Sequence, residues 1–137
     1  MPTVEELTDA LLDVFEGAPR LEAFQDSGGV WTVGRGHTGP DVKAGTVISR
    51  EQSTAYLKAD EAPLFRQVAG LPLLSAAAHA SFGYNCGAGA LHAVLSGNDS
   101  IDNPKHTTDR HGVIQRGLVA RRRLESMLIQ ISQESQK

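Results

Sequence analysis

The sequence predicts a small α+β domain, in which a first helix is followed by a short antiparallel sheet and then by further helices. Apolar residues recur at helical spacing over 4–15, whereas the segment 21–48 is rich in glycine, turn residues and β-branched residues. After Pro72 the pattern is again mostly helical. The length of 137 residues suits a single domain, 1–137, which we divide into an N-terminal lobe over 1–60 and a helical lobe over 61–137.

Capping signals mark the start of the first two helices. Thr3-Val4-Glu5-Glu6 has the spacing of a capping box and predicts a helix over 4–16. A second box begins at Ser49 and predicts a helix over 50–69, which Pro63 is expected to interrupt or kink.

The other elements follow from composition and spacing. The β-rich stretches Val30–Val33 and Gly45–Ile48 are strand candidates, and they predict a sheet of two or three short strands. Helices are predicted over 73–85, 89–97 and 118–131, with a long polar loop over 98–117.

Composition and charge exclude several classes of protein. Net charge is −3, with eleven acids and five bases over 1–61 but five acids and eight bases over 62–137. An acidic front half argues against a nucleic-acid surface, because phosphate binding needs clustered Lys and Arg. No apolar run approaches the roughly 18 residues that span a bilayer, and the N-terminus does not resemble a signal peptide. We therefore expect synthesis in the cytoplasm and no membrane insertion.

The stretch VWTVGRGHTG contains a literal G-x-G-x-x-G, formed by Gly34, Gly36 and Gly39. A dinucleotide site needs a helix directly after these glycines, so that its first amides face the pyrophosphate. Here the glycines lead through a loop-like segment to another strand candidate, so we do not expect nucleotide binding. We expect the glycines to let a hairpin bend tightly and approach another group closely.

Three blocks of sequence together have a more specific pattern. The block Phe15–Thr38 holds a Glu-Gly at the end of the first helix, an Asp in a glycine-containing turn, and Thr-x-Gly-x-Gly-His-Thr. Phe82–Gly87 contains aromatic-Asn-x-Gly, and Gly117–Glu125 reads Gly-Leu-x-x-Arg-Arg-x-x-Glu. In this order the blocks resemble the phage-type lysozymes (glycoside hydrolase family 24, the endolysins). The resemblance covers residues 15–125 and implies a lysozyme-like fold with a cleft between two lobes.

Two features depart from that family pattern. The interval between Glu16 and Asp26 is one residue longer than usual, with the extra residue within Ala18-Pro19-Arg20. Arg35 stands where these enzymes often carry an aromatic or aliphatic residue. The first departure bears on the geometry of the two carboxyl groups, and the second on how the cleft rim meets substrate.

Glycosidic cleavage needs one carboxyl group that donates a proton and a second group that activates water or stabilises the sugar. Glu16 ends the first helix, where the macrodipole disfavours negative charge, and it follows the apolar pair Val14-Phe15; both features favour the neutral acid. Asp26 lies in a Ser-Gly-Gly turn, where we expect it to stay solvated and ionised. By resemblance, Thr32 helps Asp26 hold the attacking water, which implies inversion and a carboxyl separation of ~6.5–9.5 Å.

The resemblance also gives roles to residues around this pair. Asn85, Thr38 and Arg35 are expected to contact substrate, although a buried Asn that satisfies backbone groups would give the same sequence signal. The hairpin is expected to be shaped by His37, Gly34 and Gly36, with His37 orienting it through hydrogen bonds rather than acting as a base.

Tyr84 is expected in the core or the cleft wall, and we favour the core. Arg121, Arg122 and Arg123 are expected to form a solvated face, or else to touch an anionic wall polymer.

Neither metal nor thiol chemistry is predicted. The histidines show no HExxH or cysteine-rich ligand spacing, and no cofactor is implied. Cys86 is the single cysteine, and the sequence places no activating charge beside it, so we expect a buried, inert thiol.

The resemblance implies a peptidoglycan hydrolase that cleaves the β-1,4 bond between N-acetylmuramic acid and N-acetylglucosamine. Its expected partner is the glycan strand, its expected state is a monomer, and its expected place of action is the bacterial wall, reached from the host cytoplasm. Two alternatives share the same features: a lysozyme-like module that binds peptidoglycan or a protein with little turnover, and an enzyme that degrades chitin or chitosan.

Overall fold

A computed structural model describes all residues, 1–137, and contains five α-helices, one 3₁₀ helix and a two-stranded sheet. The α-helices are α1 (Val4–Glu16), α2 (Arg50–Val68), α3 (Leu73–Cys86), α4 (Ala88–Leu95) and α5 (Arg116–Ser135), the strands are β1 (Arg20–Gln25) and β2 (Trp31–Gly34), and the 3₁₀ helix is Pro104–Thr107.

The helix starts follow the capping signals. Thr3 accepts a hydrogen bond from the Glu6 amide and Ser49 accepts one from the Gln52 amide, each at 3.0 Å. The predicted bounds of α1 are correct, and those of α2 are correct to within one residue. Pro63 does not interrupt α2, which continues through it. Because α2 runs over 50–68, it passes through the lobe boundary predicted at residue 60.

The strands of the sheet pair differently from the prediction. Strand β2 lies within one residue of the predicted Val30–Val33, but it pairs with β1, which the sequence analysis missed. The segment Gly45–Ile48 is not a strand and forms only a single bridge, from Val47 to Glu22 in β1. The register of β1 against β2 shifts between Arg20 and Phe24, so only the end of β1 pairs regularly with β2.

Two apolar clusters hold the elements together. The larger one lies among α2, α3 and α4, and its buried members are Leu64, Val68, Ala76, Ala80, Phe82, Leu91 and Ile101. A smaller one under the sheet contains Val33, Val42 and Ile48. Helix α3 is the centre of the helical part, because it packs against α1, α2, α4 and α5.

The long polar segment after α4 is more ordered than predicted. It includes the 3₁₀ helix Pro104–Thr107, and α5 begins at Arg116, two residues before the predicted start. Asp99 holds this segment by accepting hydrogen bonds from the Ser100 amide, the Asn103 side chain and His106. These bonds hold the pKa of the Asp99 carboxyl well below its usual range.

No helix in the structure combines the length and the apolar character that crossing a membrane would require.

Gly83 in α3 allows close helix packing and gives a test of the core. A Cβ there would lie 2.8 Å from Leu64 and 2.9 Å from Leu91. We expect Gly83→Ala to lower the free energy of unfolding in urea by about 1–3 kcal/mol through overpacking. Gly89→Ala in α4, where a Cβ meets nothing within 4 Å, is the matched control and should be neutral or up to about 1 kcal/mol stabilising. Equal effects of the two substitutions would contradict this account of the core.

Candidate active site

The side chain of Glu16 is held by an arginine from the far end of the chain. Glu16 is the last residue of α1, and its Oε1 accepts a hydrogen bond of 2.8 Å from Nη1 of Arg121 in α5. The Arg121 side chain is 4% exposed and that of Glu16 is 19% exposed. This contact fixes one carboxyl oxygen, while Oε2 makes no hydrogen bond within the chain.

The apolar environment expected for Glu16 has a different source. Val14 is 71% exposed and therefore does not desolvate its neighbour, contrary to the sequence analysis. Instead, the hairpin after β2 approaches the carboxyl group at Gly36. A Cβ on Gly36 would lie 3.0 Å from Glu16 Oε2 and 3.7 Å from the Tyr84 ring. The expectation that these glycines allow a close approach is confirmed: Gly36 approaches the Glu16 carboxyl, whereas Gly34 approaches the Ser53 hydroxyl.

Asp26 lies in the turn between the strands, where backbone amides bind it. Its Oδ1 accepts hydrogen bonds from the amides of Gly28 and Val30, each at 2.9 Å. The two amide donors fix the position of this carboxyl oxygen. Oδ2 makes no hydrogen bond within the chain, so it is available as an acceptor.

Thr32 lies beside this turn on β2. It is 5% exposed, and its hydroxyl donates to the Val30 carbonyl at 2.9 Å. Because a hydroxyl has one proton, this bond leaves Thr32 Oγ1 only as an acceptor for further partners.

These three residues line one cleft with most of the predicted site. The cleft has a volume of about 440 Å³, and seven of the nine predicted residues line it: Glu16, Asp26, Thr32, Gly34, Gly36, Thr38 and Asn85. A neighbouring hollow of about 570 Å³ shares Asp26 and Asn85 with this cleft and includes Arg121. Open space therefore extends past the two carboxyl groups.

Arg35 and His37 are not among the residues that line this cleft. The guanidinium of Arg35 pairs with Asp13 on α1. His37 stacks on Tyr56 with ring centroids 3.9 Å apart, and its Nδ1 lies 2.7 Å from the Asp60 carboxylate. Both side chains attach the hairpin to neighbouring helices.

The side chain of Asn85 is oriented by Arg122. Its Oδ1 accepts a hydrogen bond of 2.9 Å from Arg122 Nη1. A guanidinium only donates, so the bonded atom is the amide oxygen and the amide NH₂ is left to donate. Asn85 is exposed rather than buried, which removes the alternative of a buried structural amide.

The predicted solvated arginine face is wrong for two of its three members. Arg121 and Arg122 are each 3% exposed, while Arg123 is exposed. Both buried arginines pair with the fully buried Glu125, and Arg121 also donates to the Ser81 carbonyl at 3.0 Å. Burial raises the pKa of the Glu125 carboxyl, whereas the arginines act in the opposite direction. Glu125 lies three and four residues after the two arginines, at helical pairing distance, but their burial depends on Ser81 and Glu16, which are distant in the chain.

Cys86 has a charge beside it that the sequence did not reveal. Arg122 Nη1 lies 2.8 Å from its Sγ. Burial nevertheless raises the pKa of the Cys86 thiol, against the influence of Arg122, so the thiol remains protonated at neutral pH.

Tyr84 is part of the cleft wall rather than of the core alone. It lines the cleft with Glu16, packs partly against the larger apolar cluster, and donates from its hydroxyl to the Arg35 carbonyl at 2.6 Å. Burial raises the pKa of its phenol above the usual range, so it remains a donor that holds the hairpin.

The contact between Gly36 and Glu16 can be tested with a pair of glycine substitutions. Gly36 has φ +90°, and an added Cβ would displace the Glu16 carboxyl. We expect Gly36→Ala to lose stability by about 1–2 kcal/mol from backbone strain and activity by roughly 100-fold from misplacement of the acid. Gly45→Ala is the control, because Gly45 has φ +85° and nothing within 4 Å of a Cβ.

Urea denaturation and turbidity loss of cell-wall suspensions measure the two effects. Gly45→Ala should lose similar stability and keep its activity. Comparable activity in the two variants would show that the hairpin does not position Glu16.

The sequence of this chain is similar to those of known phage proteins. The family model for phage lysozyme matches residues 13–125. The SAR-endolysins of Enterobacteria phages PA-2 and P21 are each 31% identical over 126 aligned positions, covering 82% of this chain and 76% of theirs.

Solved structures give the same fold. An endolysin from Escherichia coli O157:H7 phage FAHEc1 matches with a TM-score of 0.68 at 29% identity, covering 94% of this chain and 93% of that one. The active form of P1 phage endolysin Lyz matches with a TM-score of 0.70 at 21% identity, over 90% and 83% of the chains. The muramidase domain of SpmX from Asticaccaulis excentricus matches with a TM-score of 0.66 at 24% identity, over 94% and 98%. The predicted lysozyme-like α+β fold is confirmed.

Proposed function

This chain belongs to the phage lysozyme family, and from that premise we propose an inverting acid–base mechanism centred on Glu16, Asp26 and Thr32. The protein is a peptidoglycan hydrolase of the muramidase type. The bond that it cleaves is therefore the β-1,4 linkage between N-acetylmuramic acid and N-acetylglucosamine. The observation that supports the proposal most directly is that both carboxyl groups line one cleft, each held by a different kind of donor.

Glu16 is the proton donor in this mechanism. Arg121 binds its Oε1, which leaves Oε2 to carry the proton and deliver it to the leaving oxygen. As the proton leaves, the ion pair with Arg121 strengthens, so Arg121 stabilises the carboxylate that forms in the transition state.

Asp26 and Thr32 together hold and activate the water. Asp26 Oδ1 is occupied by two amides and Oδ2 is available, while Thr32 has used its proton on Val30. A water that donates one hydrogen to Asp26 Oδ2 and the other to Thr32 Oγ1 has its lone pair directed away from both. As the lone pair attacks the anomeric carbon, Asp26 takes the proton, and attack opposite the leaving group inverts the carbon.

The cleft has the features that a glycan strand needs. The amide NH₂ of Asn85 is free to donate to the carbonyl of an N-acetyl group, because Arg122 occupies its oxygen. Thr38 lines the cleft near Gly36 and offers a hydroxyl to the sugar. The neighbouring hollow that shares Asp26 and Asn85 gives room for sugars on the other side of the bond.

Three expectations from the sequence complete the proposal. We propose that Arg35 and His37 act through the shape of the hairpin, and that Arg35, which pairs with Asp13, contacts substrate at the rim of the cleft. A monomeric state and synthesis in the host cytoplasm stay predictions of the sequence. The substrate partner is peptidoglycan.

Substitution of the two carboxyl groups tests their assignment. We expect Glu16→Gln and Asp26→Asn each to lower kcat for wall hydrolysis by about 10²–10⁴-fold, because each removes a proton-transfer group and keeps its shape. Glu22→Gln is the control, since Glu22 is exposed on β1 and is absent from the lining of the cleft.

Binding to sedimented peptidoglycan is measured in parallel with turbidity loss. The inactive variants should still sediment with the wall. Full activity in Glu16→Gln would remove Glu16 from the mechanism. An inactive parent protein that still sediments would instead indicate the binding module considered as the alternative.

The stereochemistry of the product tests the roles of Asp26 and Thr32. We expect the newly formed reducing end to appear first as the α-anomer, as seen by proton NMR of a short oligosaccharide within the first minutes. Thr32→Val should lower kcat by about 10-fold or more without a change of anomer. Initial release of the β-anomer would show that Asp26 acts as a nucleophile and would overturn the inverting mechanism.

A further inference from the structure

A group of three acidic side chains lies between α1 and α2, away from the cleft. Glu5 and Asp9 are one turn apart on α1, and Glu61 faces them from α2. One carboxylate oxygen from each residue lies within 4.8 Å of the other two. None of the three lines the cleft described above.

Glu61 is the unusual member of this group. It is 1% exposed, and neither of its carboxylate oxygens has a hydrogen-bond partner. Asp9 Oδ1 is likewise buried and without a partner. A buried carboxylate without a donor is costly, and native proteins normally give it a cation, a metal ion or a proton.

The charges around the group do not balance. The one basic side chain in contact is Lys58, whose Nζ lies 3.1 Å from Glu5 Oε1 and which is largely exposed. With all three carboxyl groups ionised, as a bound metal ion requires, one ammonium leaves two negative charges. A divalent cation matches this excess and also supplies the missing partner for Asp9 and Glu61.

We propose that Glu5, Asp9 and Glu61 form a calcium site that fastens the start of α1 to α2. Calcium takes carboxylate oxygens at 2.3–2.6 Å, so two ligands on opposite sides of the ion stand roughly 5 Å apart. The spacing of up to 4.8 Å among these oxygens is within that reach. Magnesium requires strict octahedral geometry and retains most of its water, whereas calcium accepts the irregular arrangement of three carboxylates from two helices. Water completes the coordination shell.

A proton on Glu61 is the competitor of the ion. Burial, followed by the neighbouring Asp9, raises the pKa of Glu61 to about 9. A carboxyl group whose pKa is higher in the folded state than in the unfolded state loses stability as pH rises from about 4.5 to 9. Calcium reverses this trend, since it displaces the proton and stabilises the carboxylate.

The test measures calcium binding directly and does not depend on the muramidase mechanism. The full chain is stripped with EGTA, exchanged into chelator-free buffer at constant ionic strength, and titrated with CaCl₂ by calorimetry at pH 7 and 8. Thermal unfolding is followed in parallel with CaCl₂, with MgCl₂ and with NaCl. The variants are Asp9→Asn and Glu61→Gln, and the control is Glu51→Gln, which is exposed on the same helix as Glu61.

We expect one calcium ion per chain and a rise in Tm of roughly 5–10 °C at about 100 times Kd. The rise should persist in Glu51→Gln and disappear in Asp9→Asn and Glu61→Gln. The calorimetric heat should vary with the ionisation enthalpy of the buffer, because binding releases the Glu61 proton.

Two outcomes would overturn the proposal. One is no calcium response in the parent protein at pH 8 together with a Glu61→Gln variant that is as stable or more stable, which would assign a proton to Glu61. The other is an equal calcium response in all variants, which would place the ion elsewhere. If Glu61→Gln fails to fold, Asp9→Asn and the titration of the parent protein still decide.

Discussion

The ion pair between the half-buried Glu16 and the buried Arg121 is the contact on which the site depends. It joins residues 105 positions apart, so the carboxyl group takes its place only when α1 and α5 are both packed on α3. Arg121 is also bound to the Ser81 carbonyl and to Glu125. A guanidinium with several fixed acceptors loses little freedom when it holds one more carboxylate. Loss of one partner would leave the other charges buried and uncompensated, which is far more costly than an exposed pair.

The two carboxyl groups are positioned by independent means, and this explains why an extra residue between them is compatible with a single cleft. Asp26 is fixed by the amides of its own turn and by the regular pairing of Phe24 with Thr32 and of Gln25 with Trp31. The register shift in β1 lies before that pairing. The extra residue, within Ala18-Pro19-Arg20, also lies before that pairing, so Asp26 keeps its place relative to Thr32.

Features set by local sequence were predicted well, and features set by distant contacts were not. Helix starts follow from caps such as Thr3 and Ser49, which act within three residues, so α1 and α2 were predicted almost to the residue. The ordered family motif allowed seven residues of one cleft to be predicted together from the sequence. Strand β1 was missed because its alternation is weak and its partners come from two segments. The burial of Arg121 and Arg122 was missed because charged residues are mostly exposed, and only tertiary partners show otherwise.

Helix α1 carries four acids at helical spacing, and together they explain how it is oriented. Glu5 pairs with Lys58 on α2, Asp13 with Arg35 on the hairpin, and Glu16 with Arg121 on α5. An acidic row of this kind would ordinarily be a solvated face, but here three of its members each meet a basic residue from a different element. Asp9 is the exception, because it meets another acid, Glu61. Because the rest of the row is matched charge for charge, this one like-charge contact is the point where a cation or a proton is required. A bound ion would hold in place the same helix that ends at Glu16.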